Sequence, residues 1–108
     1  MTVLKAFFST DSVIFFNPVE GSADGSSLVP YKGLDAWQMT VTNELNKLAA
    51  NVGLGRNFAG IHWRSDEDQA LLLGESVAIS LLRDQKATFN ESFEGFTFAK
   101  FDGSTITV

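Results

Sequence analysis

The stretch from Asp66 to Gln85, DEDQALLLGESVAISLLRDQ, sets the strongest constraint on what this chain can fold into. Ala70, Leu73, Val77 and Leu81 recur at helical spacing and predict one apolar stripe, while Leu71, Leu72, Ala78, Ile79 and Leu82 cover most of the remaining circumference. A helix that is apolar nearly all round has to be surrounded by neighbours. Ser65 is the expected cap at its start, and Asp66, Glu67 and Asp68 suit the positive end of the helix dipole. Gly74, near the middle, costs about 1 kcal/mol against alanine, which the close approach of another backbone would explain.

The neighbours are hard to find within the chain. Its 108 residues form one domain at most and bury only about two thirds of the unfolded surface. Yet 44% of the residues are apolar and ten are Phe. Phe7, Phe8, Phe93, Phe96 and Phe98, together with the 66–85 helix, are therefore expected to leave an apolar patch for a partner or a second copy.

Around that helix the reading is mainly α. TVLKAFF, residues 2–8, begins as if already inside a packed element. From Ser9 to about Met39 no helical period appears, and Pro18, Gly21, Gly25, Pro30 and Gly33 punctuate a long loop. Val41, Leu45, Leu48 and Val52 predict a helix over 40–51, capped by Thr40 or Thr42 and ended by Gly53 and Gly55. FTFAKFDGSTITV alternates and carries Asp102-Gly103, a pair favoured in two-residue hairpin loops, so a short C-terminal β-hairpin is expected.

A formal net charge of −5 excludes general affinity for nucleic acid or anionic membrane, because phosphate backbones need a positive field. Without cysteine there is no disulfide and no thiolate ligand or nucleophile. The apolar run around Glu75 is shorter than the roughly 20 residues of a membrane span, and the first residues lack the apolar core of a signal peptide. The expectation is a soluble chain.

The single histidine, His62, lies in RNFAGIHWRSDEDQ, with Arg56 six residues before it and Asp66 four after. Arginine offers a planar fork of donors to an oxyanion, histidine a nitrogen that can coordinate, attack or transfer a proton, and a carboxylate can fix the ring's tautomer. The same spacing also suits a plain structural reading, in which Asp66 caps a helix, Arg56 is a surface residue and His62 a loop histidine.

GRNFAGIHWRSD resembles the third signature of the vanadium-dependent haloperoxidase and type 2 phosphatidic acid phosphatase superfamily, written SRxxxxxHxxxD. Arg56, His62 and Asp66 match it in type and spacing, and Gly55 stands in place of the serine. The resemblance extends through LVPYKG, ELNKLAANVGLGRNFAGIHWRSD, LGESVAISLLRDQKATFNESF and GFTFAKFDG to the ends of bacterial vanadium haloperoxidase-like proteins. It implies that His62 is the axial ligand of vanadate or, in the phosphatases, the nucleophile that forms a phosphohistidine. It gives Arg56 the equatorial oxygens and Asp66 the orientation of the ring. Trp63 and Arg64 match no required position, and Arg64 is expected to pair with Asp68, four residues on.

Two other signatures of that superfamily are absent. The first, KxxxxxxRP, fails because Lys5 is followed seven residues later by Ser12, and the second needs a histidine beyond His62. The resemblance therefore implies a single partial domain over 1–108, the C-terminal fragment of a helical-bundle haloperoxidase/acid phosphatase domain. It carries a long N-terminal loop and a short C-terminal β-hairpin. The implied parent reaction is peroxide-dependent halide oxidation at histidine-bound vanadate, with this chain inactive alone and holding vanadate weakly or not at all. An acid phosphatase fragment acting through phosphohistidine, and a non-catalytic interaction or structural protein, are the alternatives. The implied partner is the N-terminal part of the domain, or a second copy of the chain.

Overall fold

The computed structural model describes residues 1–8 and 17–108; residues 9–16, the first part of the expected loop and the position of Ser12, lie outside it. The described residues are mainly α, with two small antiparallel strand pairs. In chain order they form α1 (Thr2–Phe7), β1 (Val19–Gly21), β2 (Leu28–Pro30), a 3-10 turn (Ala36–Gln38), α2 (Val41–Phe58), α3 (Arg64–Ala87), β3 (Thr97–Ala99) and β4 (Thr105–Thr107).

The core gathers where the C-terminal hairpin meets α1 and α3. Strand alternation puts Phe96 and Phe98 on one face of the hairpin, opposite Val108 and Ile106. Phe98 and Leu82 of α3 are fully buried, and Phe96 and Val108 nearly so, with Ala6, Ile79 and Ile106 packed around them. Phe96 also meets Phe7, Phe89 and Phe93 in tilted or edge-on ring contacts, 4.9–6.3 Å between centroids. On the outer face Thr97 and Thr107 share a hydroxyl hydrogen bond of 2.8 Å.

Two charged side chains fix the hairpin to the helices. Lys5 of α1 is fully buried; its ammonium donates to the Ala99 carbonyl at 3.1 Å and lies 4.2 Å from the centre of the Phe101 ring. Glu75 of α3, also buried, accepts the Phe101 N–H at 2.8 Å. Burial pushes the Lys5 pKa below its usual value, opposed in part by the negative charge of Glu75.

Several details depart from the sequence reading. The loop preceding α2 contains the β1–β2 hairpin, registered Val19↔Pro30, Glu20↔Val29 and Gly21↔Leu28. Its strands are exposed on both faces, so no alternation announces them. Asp24 closes the turn by accepting from Ser22 and Ser26, bonds that hold its carboxyl down to about 2. The C-terminal hairpin does not turn on two residues. Lys100 N donates to Ser104 O and Gly103 N to Lys100 O, with Gly103 at φ 83°. This is a three-residue loop with a glycine bulge.

Thr40 caps α2 by accepting the Asn43 N–H at 3.2 Å. The helix continues past Gly53 and Gly55 to Phe58. Gly53 serves packing rather than termination, because a Cβ there would lie 2.5 Å from Glu67 Oε1. α3 starts at Arg64 and not after Ser65: Asp66 reaches back to accept the Trp63 N–H at 3.2 Å. Among the described residues no atom outside its own stretch of helix lies within 4 Å of where the Gly74 Cβ would sit, so none of their backbone packs against it. It lies on a groove of about 310 Å³ between α1 and α3, with Val3, Ala70, Val77 and Leu81 around it.

The expected apolar surface is present with different members. Phe96 and Phe98 belong to the core, whereas Phe7, Phe8, Leu73, Val77 and Leu81 are exposed. The chain is open in shape: its radius of gyration is 17.0 Å, against about 13 Å for a compact chain of this length. Among the described residues no helix is long and apolar enough to cross a membrane.

Gly74→Ala should stabilise the isolated chain by about 0.5–1 kcal/mol, since it gains helix propensity and meets nothing; the urea midpoint checks this. Lys5→Ala should cost about 2–4 kcal/mol through lost burial and an unpaired Ala99 carbonyl. Because the folded state depresses the Lys5 pKa, the unfolded chain binds more protons in the basic range. Stability should therefore rise with pH towards the ordinary lysine value. That component should be missing from the denaturation profile of Lys5→Ala.

Candidate functional site

Arg56, His62 and Asp66 are brought together by two helix ends and the turn between them. α2 stops in a Schellman motif: Gly60 N donates to Asn57 O at 3.0 Å and Ile61 N to Arg56 O at 3.2 Å. Gly60 supplies the left-handed conformation this needs, at φ 71°. The R-x5-H spacing acquires a physical meaning from this motif. The backbone carbonyl of Arg56 is an anchor of the reversal, and the residue after the anchored Ile61 is His62, which the turn returns to the Arg56 side chain.

The Arg56 guanidinium Nη2 lies 2.7 Å from His62 Nε2. A guanidinium only donates, so Nε2 is the acceptor and carries no proton. The ring is then neutral with its proton on Nδ1, the nitrogen that faces Asp66 Oδ2 at 3.7 Å. At that distance the carboxylate faces the Nδ1 side of the ring without a hydrogen bond. The carboxylate has a second task in the same place, the cap on Trp63 N, so one side chain starts α3 and faces the imidazole. Arg64 is not paired with Asp68: the ion pairs among the described residues are Lys47–Glu44 and Lys100–Asp102.

The three residues line a cavity of about 350 Å³ that Gly53, Asn57, Glu67 and Ala70 complete. Asn57 Nδ2 donates to Glu67 Oε2 at 2.7 Å, and Asn57 Oδ1 is buried without a partner among the described residues. Sequence reasoning assigned Glu67 only to the helix dipole and passed over Asn57. Gly60 was also missed, although a glycine shortly after an apolar period is a recognised helix stop. With His62 neutral, one guanidinium faces two carboxylates, Asp66 and Glu67, leaving the lining with one negative charge in excess. Phe58, Ile61 and Trp63 stand exposed beside the site. Among the described residues no group of three or more His, Cys, Asp or Glu side chains is placed to hold a metal ion.

Comparison with known proteins places similarity over the whole chain. It is 48% identical over 111 residues to a vanadium-dependent bromoperoxidase of Corallina pilulifera and 44% identical over 110 residues to one of Corallina officinalis. Both matches cover all of this chain. A vanadium-dependent bromoperoxidase of Ascophyllum nodosum is 39% identical over 107 residues, 97% of this chain. The chain spans 17–18% of the length of these relatives. The haloperoxidase resemblance thus stands, with a correction to its source: these relatives are algal, not bacterial. No protein-family profile matches the chain, and no solved structure matches it.

Gly60→Ala should cost about 1–2 kcal/mol by forcing a side chain into the left-handed region. Asp66→Ala should cost about 1 kcal/mol through the lost cap. Paired chemical denaturation curves test both values.

Proposed function

We propose that this chain supplies the arginine–histidine corner of a vanadate pocket in a haloperoxidase, and that the parent protein oxidises halide with peroxide. The observation that carries this reading is the 2.7 Å contact between Arg56 and His62 Nε2. It marks Nε2 as the unprotonated ring nitrogen, whose lone pair would pass to an electrophilic centre once the Arg56 fork turns from the ring to the oxygens of that centre. The residues present fit that corner of the group. His62 would coordinate and Arg56 would donate to the oxygens, while Asp66 keeps the proton on Nδ1 and the ring aligned. Bound vanadate would supply the Lewis acid that activates peroxide.

His62 and Arg56 alone make a weak site. Charge-assisted bonds contribute about 1.5–3 kcal/mol each, so the two together suggest roughly 4 kcal/mol, or millimolar binding. The excess negative charge of the lining opposes an anion further. Tight capture needs cationic side chains from the rest of the parent domain, which fits the small share of its relatives that this chain represents. That the relatives are vanadium-dependent bromoperoxidases favours halide oxidation over phosphate-ester hydrolysis, although both chemistries suit this corner.

The test is complementation: this chain fused to, or co-expressed with, the remainder of a related bromoperoxidase, assayed for peroxide-dependent bromide oxidation. The isolated chain should show none. In the reconstituted enzyme His62→Ala should abolish turnover, because no other residue of this chain offers an imidazole. Arg56→Lys should lose about 1–3 kcal/mol of stabilisation, roughly 5- to 150-fold in rate, by giving up the fork. Asp66→Asn should fall between the two. Turnover close to the unmodified level in all three variants would overturn the assignment.

A further inference from the structure

We infer that Glu67 sets the charge selectivity of the His62 pocket, making it a site for singly charged tetrahedral oxyanions, such as protonated vanadate, and against doubly charged ones. The inference rests on the oxyanion reading above and names a residue outside the arginine–histidine–aspartate trio.

The carboxylate of Glu67 is built into the pocket wall. Asn57 Nδ2 holds Oε2 at 2.7 Å, and Oε1, Cδ and Cγ lie in the space beside Gly53 that a Cβ there would contest. A Cβ at that position would lie 2.5–2.7 Å from those three atoms. Gly53 sits inside an 18-residue helix, where glycine costs about 1 kcal/mol against alanine. What the glycine provides in return is room for a carboxylate on the cavity that Arg56 and His62 also line.

The consequence is electrostatic. Arg56 offsets one of the two carboxylates on the lining, and the buried Asn57 Oδ1 adds another acceptor turned to no donor among the described residues. The attraction of the one guanidinium and the repulsion of Asp66 and Glu67 both scale with the charge of an entering oxyanion, so with one carboxylate in excess a second negative charge adds to the net repulsion. Near neutral pH phosphate monoesters carry about −1.5 to −2, whereas orthovanadate, a weaker acid, is still largely the monoanion. Glu67 therefore separates two ligands that are otherwise near-isosteric.

Perrhenate and tungstate test this directly, as tetrahedral oxyanions of fixed single and double charge. Binding to the full 108-residue chain can be followed through the imidazole NMR resonances of its one histidine. The unmodified chain should bind perrhenate more tightly than tungstate. Glu67→Gln, which retains an acceptor for Asn57, should tighten tungstate about fivefold and perrhenate about twofold, narrowing the ratio. Equal changes for both anions, or none, would overturn the role of Glu67 while leaving the oxyanion site standing. At anion concentrations well above millimolar, a His62 resonance that responds to neither anion in either protein would overturn the millimolar oxyanion site proposed above, and this inference with it.

Discussion

The arrangement of the core depends on a lysine that has been taken out of water. Lys5 carries its ammonium from α1 to the carbonyl of Ala99 and the face of Phe101, while Glu75 comes from α3 to the N–H of the same Phe101. These contacts join residues far apart in sequence at one point, the turn end of the C-terminal hairpin. Apolar contacts alone would allow two short strands to slide along a helix. A buried ammonium with one carbonyl in reach, and a buried carboxylate with one N–H in reach, do not, because each loses its compensation when displaced. The Phe96–Val108 layer then packs on a hairpin whose position is already set.

The candidate site follows a different logic, since it is assembled almost entirely from local sequence. The α2 stop, the left-handed Gly60 and the α3 start occupy a few consecutive residues, and each uses one of the chemically interesting groups. The Arg56 carbonyl is an acceptor in the stop, and the Asp66 carboxylate is the cap of the start. Helix-cap and binding-site readings of Asp66 are therefore not rivals. The backbone duty is what aims the side chain, so the turn can hold the trio in place without support from a large core.

How much was legible from sequence follows from how local each signal is. Three residues at fixed spacing around a turn could be read from GRNFAGIHWRSD, and the alternation of FTFAKF announced the hairpin. The end of α2 was misplaced because Gly53 looks like a stop until Glu67, fourteen residues on, is seen to occupy the space of its missing Cβ. The start of α3 was set two residues late because the cap comes from the side chain of Asp66 rather than from a residue ahead of it. The β1–β2 hairpin had no signal, since three-residue strands exposed on both faces need no pattern. Lys5 was read only as a failed motif position, and nothing in TVLKAFF marks its side chain for burial.

The open shape of the chain bears on how it unfolds. Its accessible surface is 7784 Å², whereas a compact protein of this mass would expose roughly 5,900 Å². Surface already in contact with water in the native state is not newly hydrated on unfolding. The heat capacity increment and the denaturant slope both scale with that newly hydrated area, so both are small here for a chain of this length. The transition is correspondingly broad, and the stability curve is flat in temperature. Covering the α3 face would sharpen both, whether or not it added anything to the chemistry at His62.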